Sequence, residues 1–305
     1  MREYFELQFR MSQRTLREFG INPCLGYILL LAGFTGLSYY LFLKTEFAQY
    51  LLVLISLVLT SGLSEVKRND FLRMCFSASD YHIVRTIENL LASALFIIFL
   101  ACRQCFISSA LLACMTVILG LWSYRSNLNF TTPTPFYRRP FEFIVGFRNS
   151  FFVFPLAWVL TVIAISVDNF NLGMFSLIAV FVTILCYYLK PEDEYYVWSF
   201  AMKPGVFLKK KIHTAIIYSG ILQLPVLAAL LLFYPEEYVS IFLVYVAGCT
   251  ILITVILAKY SAWPAGMNLP QVFFIALSLY FPPLLLAVTP YFYYQSVKHL
   301  KQYLV

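Results

Sequence analysis

The residues that could carry out chemistry in this chain are few and far apart. Its three histidines, His82, His213 and His299, show no His-x-x-x-His or Glu-x-x-His spacing, so the sequence predicts no metal site. The acidic run 192–194 lies beside a lysine and two tyrosines, which favours a solvated loop over a magnesium site. Nucleophile-elbow and P-loop motifs are absent from the sequence. We therefore expect no catalytic residue and no cofactor.

Cys102 and Cys105 form a C-x-x-C pattern between two apolar runs. The pattern lacks the βαβ context of a redox motif, and no second cysteine pair follows that could complete a zinc site. The sequence therefore predicts a short turn outside the membrane, where a disulfide between these two thiols remains an alternative.

The elements that must position all these residues are apolar helices. Of the 305 residues, 61% are hydrophobic and 12% charged, too few charges to cover a soluble domain of this size. The apolar windows are 25–43, 47–63, 88–101, 106–122, 149–167, 172–189, 213–233 and 238–258. They are continuously apolar, which favours helices over the alternating strands of a membrane barrel. Since a span needs about 20 apolar residues, we predict an all-α polytopic membrane protein with about 8–10 transmembrane helices.

The basic residues gather in alternate loops. If the N-terminus is cytoplasmic, the outer turns up to residue 259 keep only Lys44 and Arg103, and the other basic residues lie inside. This positive-inside bias predicts a multi-pass protein in the lipid bilayer with a cytoplasmic N-terminus. The positive-inside bias accounts for the excess of basic residues and the net charge of +7, so we expect no nucleic-acid partner.

Residues 1–24 are predicted to form an amphipathic helix in the headgroup layer, because large apolar residues recur there at helical spacing. A solvated tail is the alternative. Residues 25–126 and 149–259 each contain four apolar windows around a charged cytoplasmic stretch, offset by about 126 residues, joined by a connector at 127–148. Two like-oriented halves would form a 4+4 parallel repeat, and unrelated hairpins are the alternative.

The last segment, 260–305, is predicted to be a Pro-broken membrane segment. Residues 270–295 could form one tilted span, but the Pro282-Pro283 pair must break or kink a helix there. Lys298 and Lys301 favour a cytoplasmic end. A Pro-broken hairpin satisfies both features and is preferred over a single kinked span.

One cytoplasmic stretch is similar to a known family. The sequences RNDFLR at 68–73, FSASDY at 76–81 and RTIEN at 85–89 resemble the first inner loop of permease subunits of ATP-binding-cassette (ABC) exporters. Looser likeness continues at 133–143, 195–198, 259–264 and 268–271. The likeness covers most of the chain through loose motifs and is typical of a permease group in Bacteroidetes-like bacteria. The chain departs from six-span exporter permeases by having at least eight apolar windows.

The resemblance implies a permease subunit in the bacterial inner membrane, energised by a separate cytoplasmic ABC ATPase and paired as a homodimer or a heterodimer with a second permease. In such permeases the inner loop carries a coupling helix that docks into the ATPase. The residues expected to dock here are Phe71, Arg73, Phe76, Tyr81, Arg85, Phe207 and Lys209. Headgroup anchoring is the alternative role for them. The alternative functions are a lipid-acting membrane enzyme, such as a transferase, and a non-transporting scaffold.

Overall fold

The computed structural model describes residues 2–121, 134, 136 and 141–304. The described residues are helical, without strands, and two short 3-10 turns lie at Pro235–Glu237 and Pro282–Leu284. In chain order the helices are α1 (Arg2–Glu18), α2 (Pro23–Lys44), α3 (Ala48–Gly62), α4 (Val66–Cys75), α5 (Ala78–Cys102), α6 (Phe106–Leu121), α7 (Phe141–Asn149), α8 (Val153–Ser166), α9 (Phe170–Cys186), α10 (Glu194–Trp198), α11 (Pro204–Phe233), α12 (Tyr238–Ala262), α13 (Leu269–Tyr280) and α14 (Leu285–Leu300). The first part of the predicted connector, and most of the motif at 133–143, lie outside the described residues.

The predicted apolar windows fall on α2, α3, α5, α6, α8, α9, α11 and α12. Four helices in the described part of the chain are long and apolar enough to cross a membrane: α2, α5, α11 and α12, the last taken with its preceding turn. A fifth is added if α7 and α8, which are bent by 62°, are counted as one span. The all-helical prediction is thus confirmed for the described residues. A count of about 8–10 spans stays a prediction, because the remaining apolar helices are shorter than a usual span.

The chain divides into two compact units, Met1–Phe130 (unit 1) and Thr131–Val305 (unit 2). The boundary falls inside the predicted connector 127–148, whose last residues form α7 and pack in unit 2. In each unit a short helix, α4 or α10, precedes the longest helix, α5 or α11. This order agrees with a repeat, which stays a prediction.

Unit 1 is built around the antiparallel pair α5 and α6, with α3 packed against both. Its apolar core contains Leu52, Phe96, Leu100 and Leu112. α6 approaches α5 closely at Gly120, where an added Cβ would lie 2.9 Å from the Cα atom of Thr86. Because backbone cannot move aside as a flexible side chain can, glycine is needed at this crossing.

Gly120→Val is therefore expected to lower the free energy of unfolding by about 1–3 kcal/mol, the usual cost of overpacking a close helix contact. Gly36→Val is the matched control, because Gly36 is also helical and a Cβ there meets nothing within 4 Å. Thermal unfolding of both variants in mild detergent measures the difference. Equal midpoints for the two variants would show that the α5–α6 crossing does not need glycine.

Unit 2 has the larger core, formed by α7, α8, α9, α11, α12 and α14. Contacts between α12 and α14 include Thr254 with Thr289 and Leu257 with Ser296, and just beyond the two helices Trp263 contacts Tyr303. Residue numbers rise together along the two helices, so α12 and α14 run parallel. Phe274 of α13 contacts Phe292 of α14, as in an antiparallel pair around the break before Pro282. The segment is therefore a Pro-broken hairpin, and its last residues lie beside Trp263, at the C-terminal end of α12.

Candidate functional site

Unit 2 buries a cluster of four charged side chains, which we call the ionic cluster: Glu142, Glu192, Lys211 and Lys259. Each comes from a different element. Glu142 lies at the start of α7, Lys211 near the start of α11 and Lys259 near the end of α12, and Glu192 lies in the loop between α9 and α10. Charged side chains are rarely so fully buried unless they are paired, so the pairing defines the site.

The two lysines bridge the two carboxylates. Lys211 Nζ donates to Glu142 Oε1 at 2.5 Å and to Glu192 Oε1 at 3.2 Å. Lys259 Nζ lies 2.9 Å from Glu192 Oε2. The Tyr260 hydroxyl donates to Glu192 Oε1 at 2.8 Å, and the Trp263 indole N–H donates to the Glu192 backbone oxygen at 2.9 Å. Glu192 is therefore the centre of the cluster, and it ties the α9–α10 loop to α11 and α12.

Aromatic rings enclose both ammonium groups. Lys211 Nζ lies 5.1, 5.4 and 5.6 Å from the ring centroids of Tyr196, Phe200 and Phe207. Lys259 Nζ lies 5.6 and 5.5 Å from the ring centroids of Tyr188 and Tyr260. The faces of these rings attract cations and replace part of the lost hydration. This explains how the two lysines are accommodated in a buried site.

The Glu192 carboxyl lies outside the apolar helices, and its charged form is favoured. Burial alone would raise its pKa, but the hydrogen bond with Glu142 and the two nearby ammonium groups outweigh burial. The pKa of Glu192 therefore lies well below its ordinary value. At neutral pH this carboxylate is a fixed negative charge that holds the two lysines together.

A cleft of about 500 Å³ opens beside the ionic cluster, between α7 and the end of α9. Glu142 and Glu192 line it, together with Lys190, and Val145 and Val182 form apolar walls. Its volume lies in the usual range of about 300–1,000 Å³ for ligand pockets. The cleft can thus accept a molecule with both polar and apolar parts.

Unit 1 holds a second cluster of charged side chains, formed by the buried Arg85 and Glu88 and the partly buried Arg68. Arg85 of α5 donates to the Leu63 backbone oxygen at 2.6 Å and to Ser64 Oγ at 2.7 Å. Arg68 of α4 donates to the same Leu63 oxygen at 2.9 Å and pairs with Glu88. The Tyr4 hydroxyl of α1 donates to Glu88 Oε1 at 2.5 Å. Glu88 thus connects α1, α4 and α5.

The short helices α4 and α10 present large apolar side chains to the outside of their units. Phe71 is 61% exposed on α4, and on α10 Tyr195 and Trp198 are 73% and 60% exposed. The two rings on α10 contact each other, with centroids 6.0 Å apart. Exposed aromatic side chains on short polar helices are typical of a partner-binding or membrane-surface contact.

The predicted docking residues divide into two groups. Phe71, Arg73 and Lys209 are exposed and Phe76 is half-buried. Tyr81, Arg85 and Phe207 are 3%, 1% and 0% exposed, so this structure does not place them on a docking surface. They are held inside because Arg73 covers the Tyr81 ring, Arg85 binds the α3–α4 corner, and Phe207 packs on Tyr260. A docking role for the exposed group stays a prediction.

Sequence reasoning missed the ionic cluster. The acidic run 192–194 was expected to be a solvated loop, which is wrong for Glu192, because its carboxylate is buried against two lysines. Its neighbours Asp193 and Glu194 are exposed, as expected. No local pattern could have revealed the pairing, since Lys211 joins residues 69 and 19 positions away. Tyr195 and Trp198 lie in the stretch 195–198 that resembles the ABC permeases, and their exposure was not predicted. The signal in the sequence was the position of these aromatic residues directly after the acidic run 192–194.

The remaining candidates for chemistry stay apart. In the described part of the chain, no group of three or more His, Cys, Asp or Glu side chains could hold a metal ion. Cys102 and Cys105 are free thiols at the turn between α5 and α6. Comparisons with known proteins add nothing to this picture: no protein-family model, no curated protein and no solved structure matches the chain.

Proposed function

We propose that this chain is the membrane-spanning permease subunit of an ATP-driven ABC exporter. In this proposal it lies in the bacterial inner membrane with its N-terminus in the cytoplasm and crosses the bilayer at least eight times. It pairs with a second permease, identical or not, and is energised by a separate cytoplasmic ATPase. The supporting observation concerns α4 and α10, the two short helices between apolar hairpins. Both expose aromatic side chains, and ion pairs connect α4 to α5 and the loop before α10 to α11 and α12.

This arrangement suits the transmission of force. A partner that grips Tyr195 and Trp198 would pull on α10, whose preceding loop is held by Glu192. Glu192 is bonded to Lys211 and Lys259, so the pull reaches the ends of two long apolar helices. Packed and hydrogen-bonded groups can carry coupling between a docking helix and the helices behind it. In unit 2 the ionic cluster supplies such a connection between α10 and the helices α11 and α12. In the proposal, ATP binding moves α4 and α10, and the long helices then change access to the substrate.

The triple variant Phe71→Ala, Tyr195→Ala, Trp198→Ala tests the docking surface. Interface aromatics commonly contribute 2 kcal/mol or more, so we expect recovery of the partner ATPase to fall at least about tenfold. The measurement is ATP hydrolysis that co-purifies with the tagged chain from its native membrane. Phe152→Ala is the matched control, because Phe152 is 77% exposed, directly precedes α8 and belongs to neither short helix.

Two results would contradict the proposal. One is a wild-type preparation that recovers no ATPase. The other is a triple variant that recovers as much ATPase as Phe152→Ala.

A lipid-acting enzyme is the second candidate, because buried carboxyls line an open cleft in unit 2. Paired carboxyls can provide general acid and base catalysis when their pKa values differ. The two carboxyls here are engaged by lysines, which favours a structural role over catalysis. A lipid extract whose composition changes on incubation with the purified chain alone would favour the enzyme.

A further inference from the structure

The two arms of the C-terminal hairpin, α13 and α14, are too short to cross a bilayer. They have 12 and 16 residues. At 1.5 Å per residue they are about 18 and 24 Å long, whereas the hydrocarbon core of a bilayer is about 30 Å thick. The stretch 272–294, which contains most of both arms, has no charged residue. The hairpin is therefore apolar enough to enter a membrane, but neither arm is long enough to span one.

The neighbouring helix α12 shows how deep the hairpin reaches. α14 runs parallel to α12, and the hydroxyls of Thr254 and Thr289 lie 2.8 Å apart. The turn at Pro282 is about 10 Å from Thr289 along the chain, while Tyr238, where α12 begins, is about 24 Å from Thr254. The turn thus lies about 14 Å short of the level at which α12 begins. Because α12 is long enough to cross a bilayer, this level falls inside the hydrocarbon core.

The exposed side chains change along α14 as the chemistry of one leaflet does. Close to the turn they are apolar, then tyrosines follow, and lysines come last; Tyr280, beside the turn, is the exception. In that order they are Leu279, Phe281 and Leu286, then Tyr291 and Tyr294, then Lys298 and Lys301. Tyrosine is enriched at the membrane–water interface, and lysine lies beyond it. The two tyrosines lie about 12–18 Å from the turn, close to half the thickness of the hydrocarbon core.

The backbone at the turn suits contact with lipid, where an unpaired N–H group is costly. Pro282 and Pro283 have no N–H group. The Phe281 N–H donates back into α13 at 2.8 Å, and the Leu284 N–H donates to the Phe281 oxygen at 3.0 Å. The Leu285 N–H is also bonded within the turn. Within 281–285, therefore, no backbone N–H group is left to face lipid without an acceptor.

We infer that residues 269–300 form a re-entrant hairpin, which occupies one leaflet and whose turn is covered by lipid acyl chains inside the hydrocarbon core. It enters and leaves the bilayer on the side where α12 ends, so it adds no crossing. A second copy of the chain is the alternative cover for the turn. The graded series of apolar, tyrosine and lysine side chains follows depth in a leaflet, which favours lipid. The inference rests on the membrane embedding of α12 and does not depend on coupling to an ATPase.

Tryptophan quenching in phosphatidylcholine vesicles tests the depth and the cover of the turn. Phe281→Trp places a reporter at the turn, and Tyr294→Trp places the matched reporter near the lysines; both positions are exposed, so the fold is expected to survive. The signal is the emission that each full-length variant adds to that of wild type. Lipid brominated at the end of its acyl chains should quench Phe281→Trp more than lipid brominated next to the headgroup. The order should be reversed for Tyr294→Trp.

Two quenching results would overturn the inference. Stronger quenching of Phe281→Trp by bromine next to the headgroup would mean that the turn reaches a membrane surface. Added emission that neither lipid quenches would mean that protein, such as a second copy, covers the turn.

Lysine modification in sealed vesicles tests on which side the hairpin ends, without any substitution. Lys203 directly precedes α11, whose start is connected to the end of α12 by the ionic cluster. A membrane-impermeant sulfonated succinimidyl ester should therefore modify Lys203 and Lys301 from the same side, as read by peptide mass spectrometry. Modification of the two lysines from opposite sides would show that the segment crosses the bilayer once, and would overturn the inference.

Discussion

Lys211→Ala is expected to lower the free energy of unfolding of the protein by about 3–5 kcal/mol, the cost of removing one partner from a buried ion pair. Without the ammonium, the Glu142 carboxylate loses its bond at 2.5 Å and stays buried. Glu192 keeps Lys259 and the Tyr260 hydroxyl, so the damage falls mainly on α7. Removal of the Lys211 stem also leaves the Tyr196, Phe200 and Phe207 rings around an empty space.

Thermal unfolding in mild detergent, followed by tryptophan fluorescence, measures this effect. Lys209→Ala is the matched control, because Lys209 is exposed two residues earlier on α11, and we expect a change within about 0.5 kcal/mol. The double variant Lys211→Met, Glu142→Leu should recover much of the loss, since a buried pair replaced by apolar groups is often neutral. A Lys211→Ala midpoint equal to that of Lys209→Ala would mean that the cluster does not hold unit 2 together.

The positions of the apolar helices could be predicted from sequence because each is a local property of its own residues. A helix in lipid satisfies its backbone hydrogen bonds internally, so a long continuous apolar run such as 238–258 identifies α12 without reference to any other segment. The break at Pro282 could be predicted for the same reason, since a proline pair disrupts helical bonding wherever it lies.

The candidate site could not be predicted in the same way, because its pairs join distant elements. Glu142 and Glu192 look like ordinary solvated acids until the fold brings Lys211 and Lys259 to them. The prediction that Tyr81 and Phe207 are exposed docking residues failed for a related reason. Tyr81 and Phe207 have the residue types of interface anchors, yet the same aromatic surface also packs well inside a helix bundle. Composition therefore identifies the membrane class, while charge pairing and side-chain exposure require the three-dimensional arrangement.

Glu88→Ala is expected to lower the free energy of unfolding by about 3–5 kcal/mol, because Glu88 is the carboxylate that pairs with the partly buried Arg68. Arg85 would keep its bonds to the Leu63 oxygen and Ser64, but both guanidinium groups would lose a nearby negative charge. The Tyr4 hydroxyl would lose its acceptor as well, which frees the first turn of α1 from α5. The loss of one side chain thus acts on three helices at once.

Limited trypsin digestion separates this outcome from general destabilisation. Release of α1 should speed cleavage at its exposed arginines Arg10, Arg14 and Arg17 before unit 2 is cut. Tyr4→Phe should also speed cleavage there, with a smaller loss of stability, because it removes the two hydrogen bonds of the Tyr4 hydroxyl, to Glu88 and from Arg68, and leaves the Arg68–Glu88 ion pair intact. Glu65→Ala is the control, since Glu65 is exposed and its side chain does not cap α4. If Glu88→Ala and Glu65→Ala are cut at α1 equally fast, Glu88 does not hold the N-terminal helix on unit 1.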